Sequence, residues 1–120
     1  MPRSRSEFAN APVFAAKAEL FRTLAHPMRI RALEVLAHGE RAVGDLATEI
    51  DVDPAHLSQQ LGVLRRAAIV TTRREGTTVF YSIKDPLLVE VLDAARRLLI
   101  TSLSESATML ASLKSSGKRR

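Results

Sequence analysis

The stretch from Val43 to Ala67 reads VGDLATEIDVDPAHLSQQLGVLRRA, and its pattern decides the fold. Val43, Leu46, Ala47 and Ile50 recur at the spacing of a short helix with one apolar face. Asp51-Val52-Asp53-Pro54 then supplies a carboxylate suited to an N-cap and a proline suited to the first helical position, so a second helix opens at once. Leu57, Leu61 and Leu64 fall on one side of it, and the pattern runs out near Ala68. Two helices joined this tightly predict a helix-turn-helix.

The neighbouring segments extend the same reading. Ile69 to Arg74 and Thr77 to Ile83 are rich in Val, Ile, Thr, Phe and Tyr and flank Glu75-Gly76, which predicts a hairpin with an arginine-bearing tip, a wing beside the helix pair. Upstream, Phe14, Ala18, Phe21 and Leu24 mark one helix, and Met28, Ala32, Val35 and Leu36 mark another that ends at Gly39, with a sharp joint at His26-Pro27. Downstream, Asp85-Pro86 opens a long helix carrying Leu88, Val91, Leu92, Ala95, Leu98, Leu99, Leu103 and Leu110. The expected fold is mainly α with a small β-hairpin: four helices, two strands and a fifth helix, a winged helix-turn-helix. The domain is expected over residues 11–113, between flexible basic ends at 1–10 and 114–120.

The chain has 120 residues, room for one domain, and a mean hydropathy of zero with 46% hydrophobic and 26% charged residues, which excludes a disordered or fibrous chain. So small a core cannot cover a final helix about 40 Å long. Its free apolar stripe is expected to meet a second copy through Phe14, Phe21, Leu92, Leu99 and Leu103, giving a homodimer through the first and last helices. Cysteine is absent, which removes thiol redox switches, disulfides and thiolate metal sites together. No apolar run approaches the length of a membrane span, so no membrane partner is expected and the expected location is the cytoplasm.

Eighteen Lys and Arg against thirteen Asp and Glu give a net charge of +5, with arginine pairs at Arg65/Arg66 and Arg73/Arg74. Position gives these charges meaning. With its leucines turned inward, the helix from Pro54 shows solvent Ala55, Gln59, Gly62 and Arg66, flanked by His56, Ser58, Gln60 and Arg65. Gln59 or Gln60 can bind an adenine edge bidentately, Ser58 can bond a base or a phosphate, and no carboxylate on that face repels a polyanion. His56 in the first turn is read as a base or phosphate contact. Arg73, Arg74, Gly76 and Thr77 stand where the tip of a wing meets phosphates or a minor groove. The expected partner is double-stranded DNA.

Three segments, Leu20-Phe21-Arg22-Thr23-Leu24-Ala25-His26-Pro27-Met28-Arg29-Ile30-Arg31, Leu57-Ser58-Gln59-Gln60-Leu61-Gly62-Val63-Leu64-Arg65-Arg66-Ala67, and Arg73-Arg74-Glu75-Gly76 with Val79-Phe80-Tyr81-Ser82-Ile83, together resemble the ArsR/SmtB family of bacterial winged-helix repressors. The resemblance covers about residues 14 to 100 and implies a dimeric, nucleoid-associated bacterial repressor on a pseudo-palindromic operator, released by an inducer. It matches Ser58, Gln59 and Gln60 to the operator-reading helix, and Arg73, Arg74 and Gly76 to the wing. Two glutamines stand where the family often has histidines, and Gly62 replaces a residue that is often basic.

The family's metal-sensing patterns are not reproduced. The helix from Val43 has Gly44-Asp45 without a cysteine, and the final helix has Glu90, Asp93 and Glu105 without a histidine. Glu34 and His38, four apart, could seed a nickel or zinc site if the partner subunit or His26 added ligands; otherwise they are a solvated pair near a helix end. His26 before Pro27 is read as a packing and turn residue. No Gly-rich phosphate loop, HExxH or nucleophile elbow is present, so an enzyme is not expected. The alternative is a winged-helix interaction module that docks a larger partner protein.

Overall fold

The computed structural model describes residues 5–118, with side chains from 12 to 115. The chain forms two compact units, residues 1–85 and 86–120. The first holds α1 (Arg5–Leu24), α2 (Pro27–Leu36), β1 (Arg41–Ala42), α3 (Val43–Ile50), α4 (Pro54–Arg66), β2 (Val70–Glu75) and β3 (Thr78–Ile83), and the second holds α5 (Leu87–Lys118). The expected order of helices and hairpin is found, with one strand added.

That strand, β1, pairs antiparallel with β3 through Arg41 opposite Tyr81 and Ala42 opposite Phe80. The sheet order is therefore β1-β3-β2, with β3 central and flanked on its other side by the hairpin partner β2. In the wing, Glu75 faces Thr78 and the connection is Gly76-Thr77. Gly76 has a φ of +61°, the left-handed value that a two-residue hairpin connection places at its first position and that glycine adopts without strain.

The joint between α1 and α2 is capped by histidine. Nδ1 of His26 accepts from the backbone N–H of Met28 at 3.1 Å, and Pro27 follows where a missing N–H costs nothing. This cap bears out the turn role read for His26. α2, α3 and α4 then pack together around Leu33, Leu36, Leu46, Ile50, Leu57, Leu61 and Leu64, each at most 3% exposed. Such interiors are close-packed, so each of these leucines holds the angle of α4 against α2 and α3.

α1 begins at Arg5, within the segment expected as an arm, and Pro12 sits inside it. α5 is one unbroken helix of 32 residues that runs into the segment expected as a tail. Extending an existing helix fixes one residue at a time and is far easier than nucleating one, so Ser115 and Ser116 are carried along. Residues 1–4 and 119–120 lie outside the described residues.

Within α5, Leu88 and Leu92 are buried, 8% and 9% exposed, whereas Leu98, Leu99, Leu103 and Leu113 are each above 60% exposed. Of the residues expected on the dimer surface, Leu92 differs from Leu99 and Leu103 in being little exposed in the single chain. Phe14 and Phe21 on α1 are 58% and 61% exposed. No helix among the described residues is long and apolar enough to cross a membrane.

Candidate nucleic-acid interface

The turn between α3 and α4 is tight because Asp51 takes a left-handed conformation, φ 54° and ψ 59°, which lets the N–H of Val52 reach back to the carbonyl of Ala47 at 3.0 Å. Aspartate tolerates this region better than most residues. Asp53 then caps α4: its carboxylate accepts from the backbone N–H of His56 at 3.1 Å, with Pro54 next in line. The carboxylate that opens the helix is therefore engaged at its end.

Leu57, Leu61 and Leu64 of α4 are fully buried, and Ala55, His56, Ser58, Gln59, Arg65 and Arg66 are exposed. Among the described residues Arg65 and Arg66 have no ion-pair partner, and no internal bond holds the side chains of Ser58 or Gln59. Gly62 is half-buried, and a Cβ built on it would come within 3.3 Å of Nη1 of Arg66. The guanidinium one turn on thus lies beside the glycine. Gln60 differs from Gln59, being half-buried with its Oε1 accepting from Nε of Arg29 at 2.8 Å.

The wing arginines also divide. Arg73 gives Nε and Nη2 to the two carboxylate oxygens of Glu40 at 2.7 and 2.6 Å, and Nη1 to Glu75 at 3.0 Å. Its guanidinium lies 4.4 Å from the ring centre of Phe80, the residue opposite it in register. Hydrogen bonding to Arg73 holds the Glu40 carboxyl below the usual carboxylate range, with a smaller contribution from the Ser82 hydroxyl, and Glu40 in turn raises the pKa of Arg73. Successive strand residues point to opposite faces, so Arg74 faces away from this cluster; it has no ion pair among the described residues. Gly76 and Thr77 are exposed at the tip.

The candidate metal pair is exposed. Glu34 and His38 line an open cleft with Arg31, Val35, Arg41, Glu49 and Ile50, and Glu49 is engaged by Arg41 at 2.7 Å. Among the described residues no three histidine, aspartate or glutamate side chains stand together to hold an ion.

Two residues with no role in the sequence reading shape this surface: Arg29, which engages a helix-face glutamine, and Glu40, which engages a wing arginine. Each partner lies more than thirty positions away, 31 and 33 respectively, so no local pattern announces the pairing.

Comparison with known proteins places this geometry. The family model described as "Bacterial regulatory protein, arsR family" matches residues 26–72, from the cap of α2 into the wing. The chain is 46% identical over 107 residues to the uncharacterised HTH-type transcriptional regulator Rv0081 of Mycobacterium tuberculosis, covering 88% of this chain and 94% of that protein. The crystal structure of Rv0081 superimposes with a TM-score of 0.73 at 47% identity over 80% of this chain and 97% of its own. A biofilm growth-associated repressor of Agrobacterium fabrum is 46% identical over 64% of this chain and 66% of its own length. A homodimeric winged helix-turn-helix DNA-binding domain from Mycobacterium bovis matches with a TM-score of 0.73 at 27% identity, over 88% of this chain and 95% of its own. The chain belongs to the arsR family of bacterial regulatory proteins and is a DNA-binding transcriptional regulator built on a winged helix-turn-helix.

Proposed function

We propose that the chain acts as a homodimeric repressor in the bacterial cytoplasm, with α4 of each protomer in a major groove and each wing on the flanking backbone. The observation that carries this reading is the exposed face of α4: Ser58 and Gln59 without internal partners, beside Arg65 and Arg66 without counter-ions. Gln59 reads a base edge, Ser58 and His56 contact a base or phosphate at the start of the helix, and Arg65, Arg66 and Arg74 supply sequence-independent attraction. Gly76 and Thr77 let the tip approach the backbone closely. Arg73 serves the wing rather than the DNA, because its donors are already engaged by Glu40 and Glu75.

The exposed apolar residues of α1 and α5, Phe14, Phe21, Leu99 and Leu103, are the surface a second copy would cover, and the homodimeric M. bovis domain supports that assembly. Repression is supported by the name of the Agrobacterium relative. The protein is a regulator without catalysis, and its inducer acts without a thiol, since there is no cysteine to oxidise or metallate.

Two reading helices related by a dyad address half-sites about one helical turn apart, roughly 34 Å. Duplexes selected from a random pool by the full chain should therefore be pseudo-palindromic and bind two protomers in sedimentation. Inserting about five base pairs between the half-sites turns them to opposite faces and should abolish tight binding. One protomer per duplex, or indifference to the insertion, would contradict the proposal.

A further inference from the structure

Arg29 of α2 spans two elements. Its Nε donates to Oε1 of Gln60 on α4 at 2.8 Å, and its Nη1 donates to the carbonyl of Thr23 at the end of α1 at 2.9 Å. A guanidinium carries donors and no acceptor, so only the oxygen of the Gln60 amide can face it. The amide is fixed with its oxygen inward and its nitrogen turned away. No buried side-chain nitrogen or oxygen among the described residues lacks a hydrogen-bond partner, which leaves Nε2 of half-buried Gln60 open to solvent.

This matters for base reading. A glutamine that reads adenine in the major groove uses both ends of its amide, the oxygen accepting from N6 and the nitrogen donating to N7. Exposed Gln59 keeps both ends for that contact. Arg29 occupies one lone pair of the Gln60 oxygen and fixes the amide with its nitrogen outward, so Gln60 leads with a donor. Guanine presents two acceptors, O6 and N7, and thymine presents O4, whereas adenine sets an N6 donor beside its N7 acceptor and cytosine presents a donor, and each of these donors would oppose Nε2.

We propose that Arg29 is a positioning residue for sequence specificity: it fixes the Gln60 amide so that its donor leads, which favours a keto base, guanine or thymine, at its step of the operator. The inference rests on α4 being the reading helix. It assigns different tasks to adjacent glutamines that look equivalent in the sequence. It also replaces the expectation that either could take adenine bidentately with an assignment of that contact to Gln59 alone.

The test uses the full chain and duplexes selected from a random pool, with the four bases compared at the step whose preference Gln60→Ala removes. The wild type is expected to favour guanine or thymine over adenine by about fivefold, the worth of one net hydrogen bond. Gln60→Glu keeps the partnership with Arg29 but offers DNA only an acceptor, so the preference should invert to cytosine or adenine. Arg29→Ala frees the amide to turn, and adenine should gain at that step while the rest of the site is unchanged. Arg29→Lys, which retains a donor, should recover part of the keto preference. Thermal melting confirms that each variant is folded, and Gln60→Glu leaves Arg29 itself untouched.

Adenine preferred by the wild type, an unchanged ranking in Gln60→Glu, or an equal loss on all sequences in Gln60→Ala would overturn the inference. The last result would make Gln60 a phosphate contact. If the wild type selects no sequence at all, the reading of α4 falls and this inference with it. If it selects one that shifts with Gln59→Ala but not with the Gln60 variants, only the inference falls.

Discussion

Glu40 and Arg73 meet as a fork, both carboxylate oxygens on two guanidinium nitrogens at 2.7 and 2.6 Å, across 33 positions of sequence. Glu40 stands just before β1, and Arg73 is in β2, at the far side of the sheet. The pair therefore ties the two outer strands together over the central one, where Phe80 and Ser82 of β3 also touch it. A bidentate pair fixes angle as well as distance, so the wing is held at one orientation to the body that carries α3 and α4.

Arg73 and Arg74 should therefore behave differently on DNA, although a charge count treats them alike. Arg74→Ala is expected to weaken binding to all sequences together and to reduce the slope of log affinity against log salt by about one. Arg73→Ala should loosen the wing, seen as faster amide exchange in β2, with a smaller change in salt slope. Salt titrations of both variants on one duplex, with hydrogen exchange on the free protein, check the division.

The same pair sets a pH response. The carboxyl of Glu40 has its pKa lowered in the folded protein, chiefly by hydrogen bonding to Arg73, so it binds a proton less readily folded than unfolded. Its contribution to stability is then present above the ordinary glutamate pKa and is lost as pH falls through the lowered value. Arg73 is raised from a pKa already far above neutrality and stays charged throughout, so it adds no slope of its own in that window. The order of β2 and β3, followed by exchange or by NMR, should decline on acidification below the usual carboxylate range. Glu40→Gln should remove that part of the decline.

The exit of α4 carries avoidable strain. Ala68 has a φ of 60°, and its N–H and that of Ile69 turn back to the carbonyls of Arg65 and Leu64 at 3.0 and 2.9 Å, the pattern in which helices usually place glycine. A left-handed alanine costs about 1–2 kcal/mol. Ala68→Gly should recover about 1 kcal/mol, after the entropy that glycine loses, and raise the melting temperature by about 4 °C or more. Calorimetry of the two proteins checks this.

These cases show what the sequence made legible. The helix pair was readable because Leu57, Leu61 and Leu64 recur with the helical period and Asp53-Pro54 marks a start chemically. The hairpin was readable because Gly76 sits between two β-rich runs. β1 was not, since two residues can show no alternation, and Arg41–Ala42 are a strand only because β3 passes beside them. Ser58 and Gln59 lie on the face that periodicity assigns to solvent. The engagement of Gln60 by Arg29 and of Arg73 by Glu40 depends on distance in space, which composition and period do not encode. Leu92 shows the same limit: the stripe on α5 is visible in the sequence, but not which of its leucines are exposed in the single chain.

The exposed part of that stripe gives a further expectation. Leu99 and Leu103 are 63% and 69% exposed in the single chain, so replacing them with glutamate removes little packing from a protomer. Burying those charges between copies would be costly. Leu99→Glu with Leu103→Glu should turn a dimer into a monomer in sedimentation while the helical circular dichroism of the first unit is kept. Loss of the whole fold would show instead that these residues serve the protomer.

The central claim is that the face of α4 reads a sequence. The most direct measurement is fluorescence anisotropy at fixed salt, comparing the duplex from upstream of the protein's own gene with a scrambled duplex of the same length and composition. The account predicts a preference of at least about a thousandfold, lowered by Gln59→Ala through a loss of about 1–3 kcal/mol on the true site only. Equal, weak and salt-sensitive binding to both duplexes, unaffected by Gln59→Ala, would contradict it.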